Sequence, residues 1–329
     1  MKSSLSFIRK TASRGVPLPG GHRPAGDAHR PEPGCVRTWR AVAPPSVAAW
    51  ILALAALVGA TTRSALADEQ LFGFVRGAET LPKGRSEIYQ YATLRTGKAE
   101  GRYYGFDFET EVEHGFTDRF QASASLIHHY FNNRGVDGDR DALDDANASR
   151  LGGVAFSGKY RIWSPFKEPL GIAFRLESGY LWHDEVDGLL QHEFYLSPEI
   201  DLQKNFRDDT VICNLNVGAE WAWGKQPAEQ YPREVSLQAA AGVAYRFAPN
   251  WFVGAEGNVR AEYPLFDLKH FEHATLYAGP SVHYSAKRWW VTLTWTPQVW
   301  GSGVDEPNDG RTFAEEVRHK IRLKIGFNF

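Results

Sequence analysis

The chain has 329 residues, with 37 Lys and Arg against 39 Asp and Glu, a near balance that gives no electrostatic reason to expect nucleic acid as a partner. It holds 2 cysteines, and Cys35 falls in a segment read below as a leader, so Cys213 alone would remain and no internal disulfide could staple the mature chain. Glycine, tyrosine and tryptophan are abundant, at 31, 13 and 11 residues, and no long helical pattern is present.

Val47 to Ala60 (VAAWILALAALVGA) is an apolar run preceded by Arg37 and Arg40 and followed by Ala65-Leu66-Ala67, the small-x-small pattern of a signal-peptidase site. Cleavage after Ala67 is expected. The run is shorter than the roughly 20 residues of a transmembrane helix, which makes a retained anchor the weaker alternative. An ordinary signal peptide has about 15–30 residues, so Met1 is expected to be an upstream, mis-assigned start. Lys2 to Pro45, rich in Arg, Pro, Gly and Ser, reads as disordered or untranslated. Cys35 precedes the apolar run, the wrong place for lipoprotein attachment.

The organisation expected is therefore a leader over residues 1–67, a periplasmic lead-in over 68–85, and one all-β unit over 86–329. Ser86 to Arg95 supplies a first strand of uncertain facing, because Tyr89 and Tyr91 compete with Ile88, Ala92 and Leu94 for the outer side. From Tyr104 onward period-two alternation dominates, placing successive side chains on opposite faces of a strand, and it recurs about eleven times. In Tyr104 to His114, Phe106, Phe108, Thr110 and Val112 alternate with Asp107, Glu109, Glu111 and Glu113. The short turn Gly115–Arg119 joins this run to Phe120–Phe131, a hairpin spacing.

Runs around Val154–Arg161, Leu170–Glu177, Phe194–Gln203, Val211–Trp221, Val235–Arg246 and Trp251–Tyr263 follow the same rule. The last three centre on Leu276–Val282, Val291–Trp295 and Val317–Phe329, where Val317, Ile321, Leu323, Ile325, Phe327 and Phe329 alternate with Arg318, Lys320, Arg322 and Lys324.

These features predict an antiparallel up-and-down transmembrane β-barrel of about 12 strands. A soluble sandwich would also alternate, but runs of about ten residues are roughly twice the ordinary strand and fit a tilted membrane-spanning one. Short connections at Gly115–Arg119, Ser164–Pro169, Lys204–Asp209, Ala248–Asn250 and Ser285–Arg288 alternate with mostly longer polar ones, as expected of periplasmic turns and extracellular loops. Trp182, Trp221, Trp223, Tyr245, Trp251, Tyr263, Tyr284 and Trp289 sit near the ends of the outward rows, where two interfacial girdles would lie. An even count also returns both chain ends to one side.

Through the turn GFTDRF (Gly115–Phe120), the segment ETLPKG (Glu79–Gly84) and the last strand IRLKIGFNF (Ile321–Phe329), the chain resembles proteobacterial outer-membrane β-barrel proteins. Within them it is most similar to uncharacterised, transporter-type barrels grouped with phenol meta-pathway genes. The resemblance implies export through the secretory pathway, residence among Gram-negative outer-membrane lipid and lipopolysaccharide, and recognition of Phe329 by the barrel-assembly machinery.

With apolar rows facing lipid, the lumen would be lined by the acidic ladder Asp107, Glu109, Glu111, Glu113 and the basic ladder Arg318, Lys320, Arg322, Lys324. The two flank the first strand, so a salt-bridge network across the seam is expected. Such a network either rigidifies closure, since buried charge must be paired, or forms rings that select a small hydrophilic or charged solute.

The loop Asn132–Arg150 carries Asp137, Asp139, Asp141, Asp144 and Asp145, but Ala142 and Ala148 stand where a calcium loop needs Gly and Glu. A solvated acidic loop is expected. Ser178 and His192, with His128, are the weaker candidates for an outer-membrane lipid hydrolase, lacking a nameable third partner. His128, His129, His270 and His273 lack zinc-site companions, and no Gly-rich phosphate loop precedes a helix, so neither metal nor cofactor is expected. The function expected is a narrow channel or transporter without enzymatic activity; the alternative is a non-conducting structural barrel with a salt-bridged lumen.

Overall fold

The computed structural model describes residues 70–136, 143, 145–186, 188–225, 233–304, 309–313 and 315–329. The leader with its apolar run and cleavage site, and Asp137, Asp139, Asp141 and Asp144 of the acidic loop, lie outside the described residues.

Twelve strands succeed one another: β1 (Ser86–Thr96), β2 (Arg102–Thr117), β3 (Phe120–Arg134), β4 (Ala146–Trp163), β5 (Gly171–His183), β6 (Leu190–Phe206), β7 (Val211–Lys225), β8 (Arg233–Ala248), β9 (Trp251–Pro264), β10 (His273–Ser285), β11 (Trp289–Gly303) and β12 (His319–Asn328). Each pairs antiparallel with its chain neighbours and β12 pairs with β1, so the sheet closes and no edge is left unpaired. At the seam Ser86 N donates to Phe329 O at 3.0 Å and Phe329 N donates to Ser86 O at 2.9 Å. The expected all-β, up-and-down transmembrane barrel of 12 strands is the fold observed.

Alternation sorts the side chains as predicted. Phe156 is 59% exposed and Val217 50%, whereas Glu111 and Asn216, on the other face, are 3% and 2% exposed. Such outward apolar rows run all round the barrel, far more than a soluble surface tolerates, and they suit hydrocarbon. Aromatic clusters flank them: Trp251–Tyr284–Trp289 toward the short turns, with centroids 4.8 and 5.1 Å apart, and Phe194–Trp223 at 4.8 Å toward the long loops. These are the two girdles.

Four details depart from or complete the sequence reading. β4 begins at Ala146, so Ala146–Arg150, expected in the loop 132–150, belong to a strand. There the strand outruns the apolar rows, and small polar residues leave no hydropathy pattern to read. β12 begins at His319, which leaves Val317 and Arg318 in the preceding loop, with Val317 buried against Tyr103 and Tyr277.

In β1 the tyrosines face inward: Tyr89 and Tyr91 form a buried cluster with Trp290, while Ile88, Ala92 and Leu94 take the outer side. Last, of the expected periplasmic lead-in 68–85, residues 70–81 run through the barrel interior, where Leu71, Phe72, Val75 and Ala78 are 0–2% exposed, whereas Lys83 and Gly84 are exposed.

Candidate functional site

The lumen divides into two halves. Toward the short turns it is filled by the N-terminal segment. An extended segment carries unpaired N–H and C=O groups throughout, and enclosed ones must find partners. The barrel wall supplies them in order round the circumference. Gly73 N and Phe74 N each donate to one oxygen of the Glu256 carboxylate at 2.7 Å, and Thr294 Oγ1 donates to the same group at 2.7 Å.

Arg76 N donates to Asn216 Oδ1 (2.8 Å) and Asn216 Nδ2 donates back to Arg76 O (3.1 Å). Ala78 N donates to Gln203 Oε1 at 2.9 Å and Lys159 Nζ to Gly77 O at 2.6 Å. Lys324 Nζ donates to Phe72 O and Gln70 Oε1, and Arg161 pairs with Glu79.

Apolar packing locks the same segment. Leu71, Phe72 and Val75 form a buried cluster with Ile212, Ala244 and Phe252. Phe72 fits because glycines stand opposite it: a Cβ on Gly242 would lie 2.8 Å from its ring, and one on Gly254 3.2 Å. Full burial of each large apolar side chain stabilises the docked segment by roughly 1.5–3 kcal/mol.

Toward the long loops the lumen opens into a cavity of about 310 Å³, floored by Phe74. Its walls carry ion pairs between side chains. Arg95 holds Asp107 through Nε at 2.6 Å and Nη2 at 2.8 Å, and Asp107 also meets His129 Nδ1 at 2.9 Å. Across the lumen Arg260 gathers three carboxylates, Glu262 at 2.6 Å, Glu220 at 3.0 Å and Glu234 at 3.7 Å.

The loop before β12 folds inward to the cavity rim, where Lys320 Nζ meets Glu316 Oε2 at 3.2 Å and Tyr277 OH donates to it at 3.1 Å. Burial alone would raise the pKa of the Glu316 carboxyl, but Lys320 and His273 outweigh it and lower it to about 2.

Of the two ladders read from sequence, Asp107, Glu109, Glu111 and Glu113 and Lys320, Arg322 and Lys324 line the lumen, whereas Arg318 is exposed in the loop before β12; among the described residues the two rows do not pair with each other. Tyr91 lies between them in register, opposite Glu109 on one side and Lys324 on the other. Asp107 is taken by Arg95, Glu111 accepts from Tyr91 OH at 3.3 Å, and Glu113 accepts from Gln121. The basic row turns to other partners. Lys324 holds the N-terminal segment, and Arg322 donates to Thr93 Oγ1 at 2.8 Å and to Gly73 O at 3.2 Å. Arg318 stacks on Phe313 and donates to Lys98 O.

The seam network is thus replaced by one that closes through the N-terminal segment and the last loop. Sequence reasoning passed over Glu256, Asn216, Arg260 and the segment itself. One signal was present: the inward row of β8 thins to Ala240, Gly242 and Ala244, which leaves room for something inside.

Ser178 and His192 are not brought together. Ser178 pairs with Leu196, four residues along β6 from His192, a separation of roughly 13 Å at about 3.3 Å per residue. His192 Nδ1 contacts Tyr180 OH at 2.9 Å, and His128 Nε2 contacts Ser149 Oγ at 2.8 Å. No group of three metal-ligating side chains occurs among the described residues.

A closed antiparallel barrel with an apolar outside and a charged, partly filled lumen defines the class: this is a β-barrel of the outer-membrane kind. Within it, residues 64–329 match the "Family of unknown function (DUF6662)", and the chain belongs to that family.

Among solved structures it is similar to an outer membrane channel from Pseudomonas putida F1, at 11% identity and a TM-score of 0.57, over 77% of this chain and 98% of that one. It is also similar to the β-domain of the Bordetella autotransporter BrkA, at 9% identity and a TM-score of 0.50, over 75% and 100%. At these identities the likeness is one of fold. Comparison with curated proteins gives no match.

Proposed function

We propose that this chain is an outer-membrane channel or transporter for a small hydrophilic or charged solute, with the N-terminal segment as a resident constriction. The observation that carries the reading is the charged cavity of about 310 Å³ inside a barrel whose outer rows are apolar. Charge rings of this kind sort solutes by sign and size. The likeness in fold to a channel, and the resemblance to transporter-type barrels of the phenol meta-pathway group, lend support. In this reading the apolar run 47–60, with cleavage after Ala67, directs secretory export, Phe329 engages the assembly machinery, and the outer rows meet lipid and lipopolysaccharide.

The second reading, a non-conducting structural barrel, is favoured by the completeness with which Glu256, Asn216, Gln203 and Lys159 hold the segment. Planar-bilayer recording separates the two. Discrete conductance steps are expected, and Glu109→Gln with Glu111→Gln is expected to shift them toward anions. Silent bilayers and no solute flux from a correctly folded barrel overturn the channel reading.

A further inference from the structure

Four cationic side chains line the cavity: Arg95, Arg260, Lys320 and Arg322. Three have carboxylate partners, Arg95 with Asp107 at 2.6 Å, Arg260 with Glu262 at 2.6 Å and Lys320 with Glu316 at 3.2 Å. Arg322 has no carboxylate within ion-pair distance among the described residues. Its Nε is used on Thr93 and its Nη1 on the carbonyl of Gly73, both uncharged acceptors, which leaves Nη2 without a partner among the described residues.

The guanidinium is fixed between two ring faces, Phe74 at 4.1 Å and Tyr91 at 5.5 Å. An enclosed guanidinium that lacks a counterion carries an uncompensated desolvation cost, whereas one that meets an anion recovers it. Its orientation is set before any ligand arrives, because the wall, through Thr93 and Tyr91, and the N-terminal segment, through Gly73 and Phe74, each hold part of it. Preorganised donors bind an oxyanion without first having to order a long side chain.

We propose that Arg322 is the anion-binding residue of the cavity, and that the solute carried is a small organic carboxylate whose carboxyl group supplies the counterion missing from the wall. This rests on the channel reading above and names its substrate class. A volume of about 310 Å³ lies at the small end of ligand sites, so the solute is of metabolite size. Its apolar part would meet Phe74 on the floor, and the ion pairs of Arg95 and Lys320 leave those cations less able to compete for the carboxylate.

The test uses the full mature barrel, refolded in detergent and checked by circular dichroism, with succinate as the probe. Calorimetric titration is expected to show saturable succinate binding, weakened at least tenfold in Arg322→Gln and less in Arg322→Lys, which keeps the charge and loses the planar geometry. The uncharged diamide succinamide is the control and is expected not to bind.

Arg322 also contacts the N-terminal segment, so protease protection of residues 70–85 is followed in both variants. Arg322→Gln losing succinate while the segment stays protected supports the site. Equal succinate binding in wild type and Arg322→Gln, or no saturable binding by the wild type, overturns it. Binding without conductance would keep the site and reject the channel. Conductance without binding, unchanged in selectivity by Arg322→Gln, would keep the channel and reject the site.

Discussion

The two halves of the lumen are lined by the same strands, and they meet the need for polar partners in opposite ways. Toward the short turns, the carboxamides of Asn216, Gln203 and Gln121, the carboxylate of Glu256 and the cations of Lys159 and Lys324 are spent on the backbone of residues 70–81, so the wall reads a peptide. Toward the long loops, charged side chains are satisfied by one another, Arg95 with Asp107 and Arg260 with Glu220, Glu234 and Glu262, and a space remains. A barrel of this size can thus be closed at one level and hollow at another without any change in strand number. What differs is whether the polar side chains reach the backbone of an occupant, as Asn216, Lys159 and Lys324 do where Gly242 and Gly254 leave room for Phe72, or reach one another.

Removing the occupant is the strongest way to break that contrast. Deletion of residues 70–81 should leave the barrel closed, because the seam is carried by β1, β12 and the Ser86–Phe329 pair. The lower half should then become as open as the upper, and conductance steps in planar bilayers should grow severalfold. An unchanged step size would mean that the segment does not limit passage.

Weaker in effect is Glu256→Ala, which keeps the segment but strands the amides of Gly73 and Phe74 and the Thr294 hydroxyl. Each buried donor left without an acceptor costs roughly 1–3 kcal/mol. Hydrogen exchange at Gly73 and Phe74 is therefore expected to accelerate on the order of thirtyfold or more, about 2 kcal/mol of lost protection. Exchange in β12 should not change, since the carboxylate touches no backbone there.

Arg260→Gln acts on the upper half alone. It leaves Glu220, Glu234 and Glu262 without their shared cation, so the cavity gains negative charge and the reversal potential in a salt gradient should move toward cation selectivity. Protection of residues 70–81 is expected to stay as in the wild type. If it falls as well, the halves are coupled and the contrast drawn between them is too sharp.

How far these regions could be read from sequence follows from what sets each. Period-two hydropathy is imposed by lipid on one side and water or protein on the other, so the strand count, the facing of Asp107–Glu113 and the girdle residues such as Trp251 and Trp289 were legible. Contact between Lys324 and Phe72, 252 residues apart, is set by the path of an extended segment that has no periodicity of its own. Only the thinning of β8 at Gly242 hinted at it. The tyrosines of β1 leave its facing open in the sequence for a related reason, since an inward Tyr91 between two cations has the same hydropathy as an outward one at a membrane interface.

The smallest expected effect concerns the outer face, which belongs to neither half. Ser178 points out of the barrel from β5, its register partner is Leu196, and His192 is occupied by Tyr180 OH. A nucleophile needs a base within hydrogen-bond reach, and the separation of roughly 13 Å at about 3.3 Å per residue is too great for one.

Ser178→Ala should therefore leave conductance and succinate binding as they are and change stability by no more than about 0.5 kcal/mol, the ordinary range for a surface substitution away from special features. Purified wild-type protein is expected to release no fatty acid from phospholipid or lipid A vesicles. Hydrolysis that vanishes in Ser178→Ala would instead place a catalytic site on the lipid-facing wall, and the lumen contrast would then describe only how the barrel is held together.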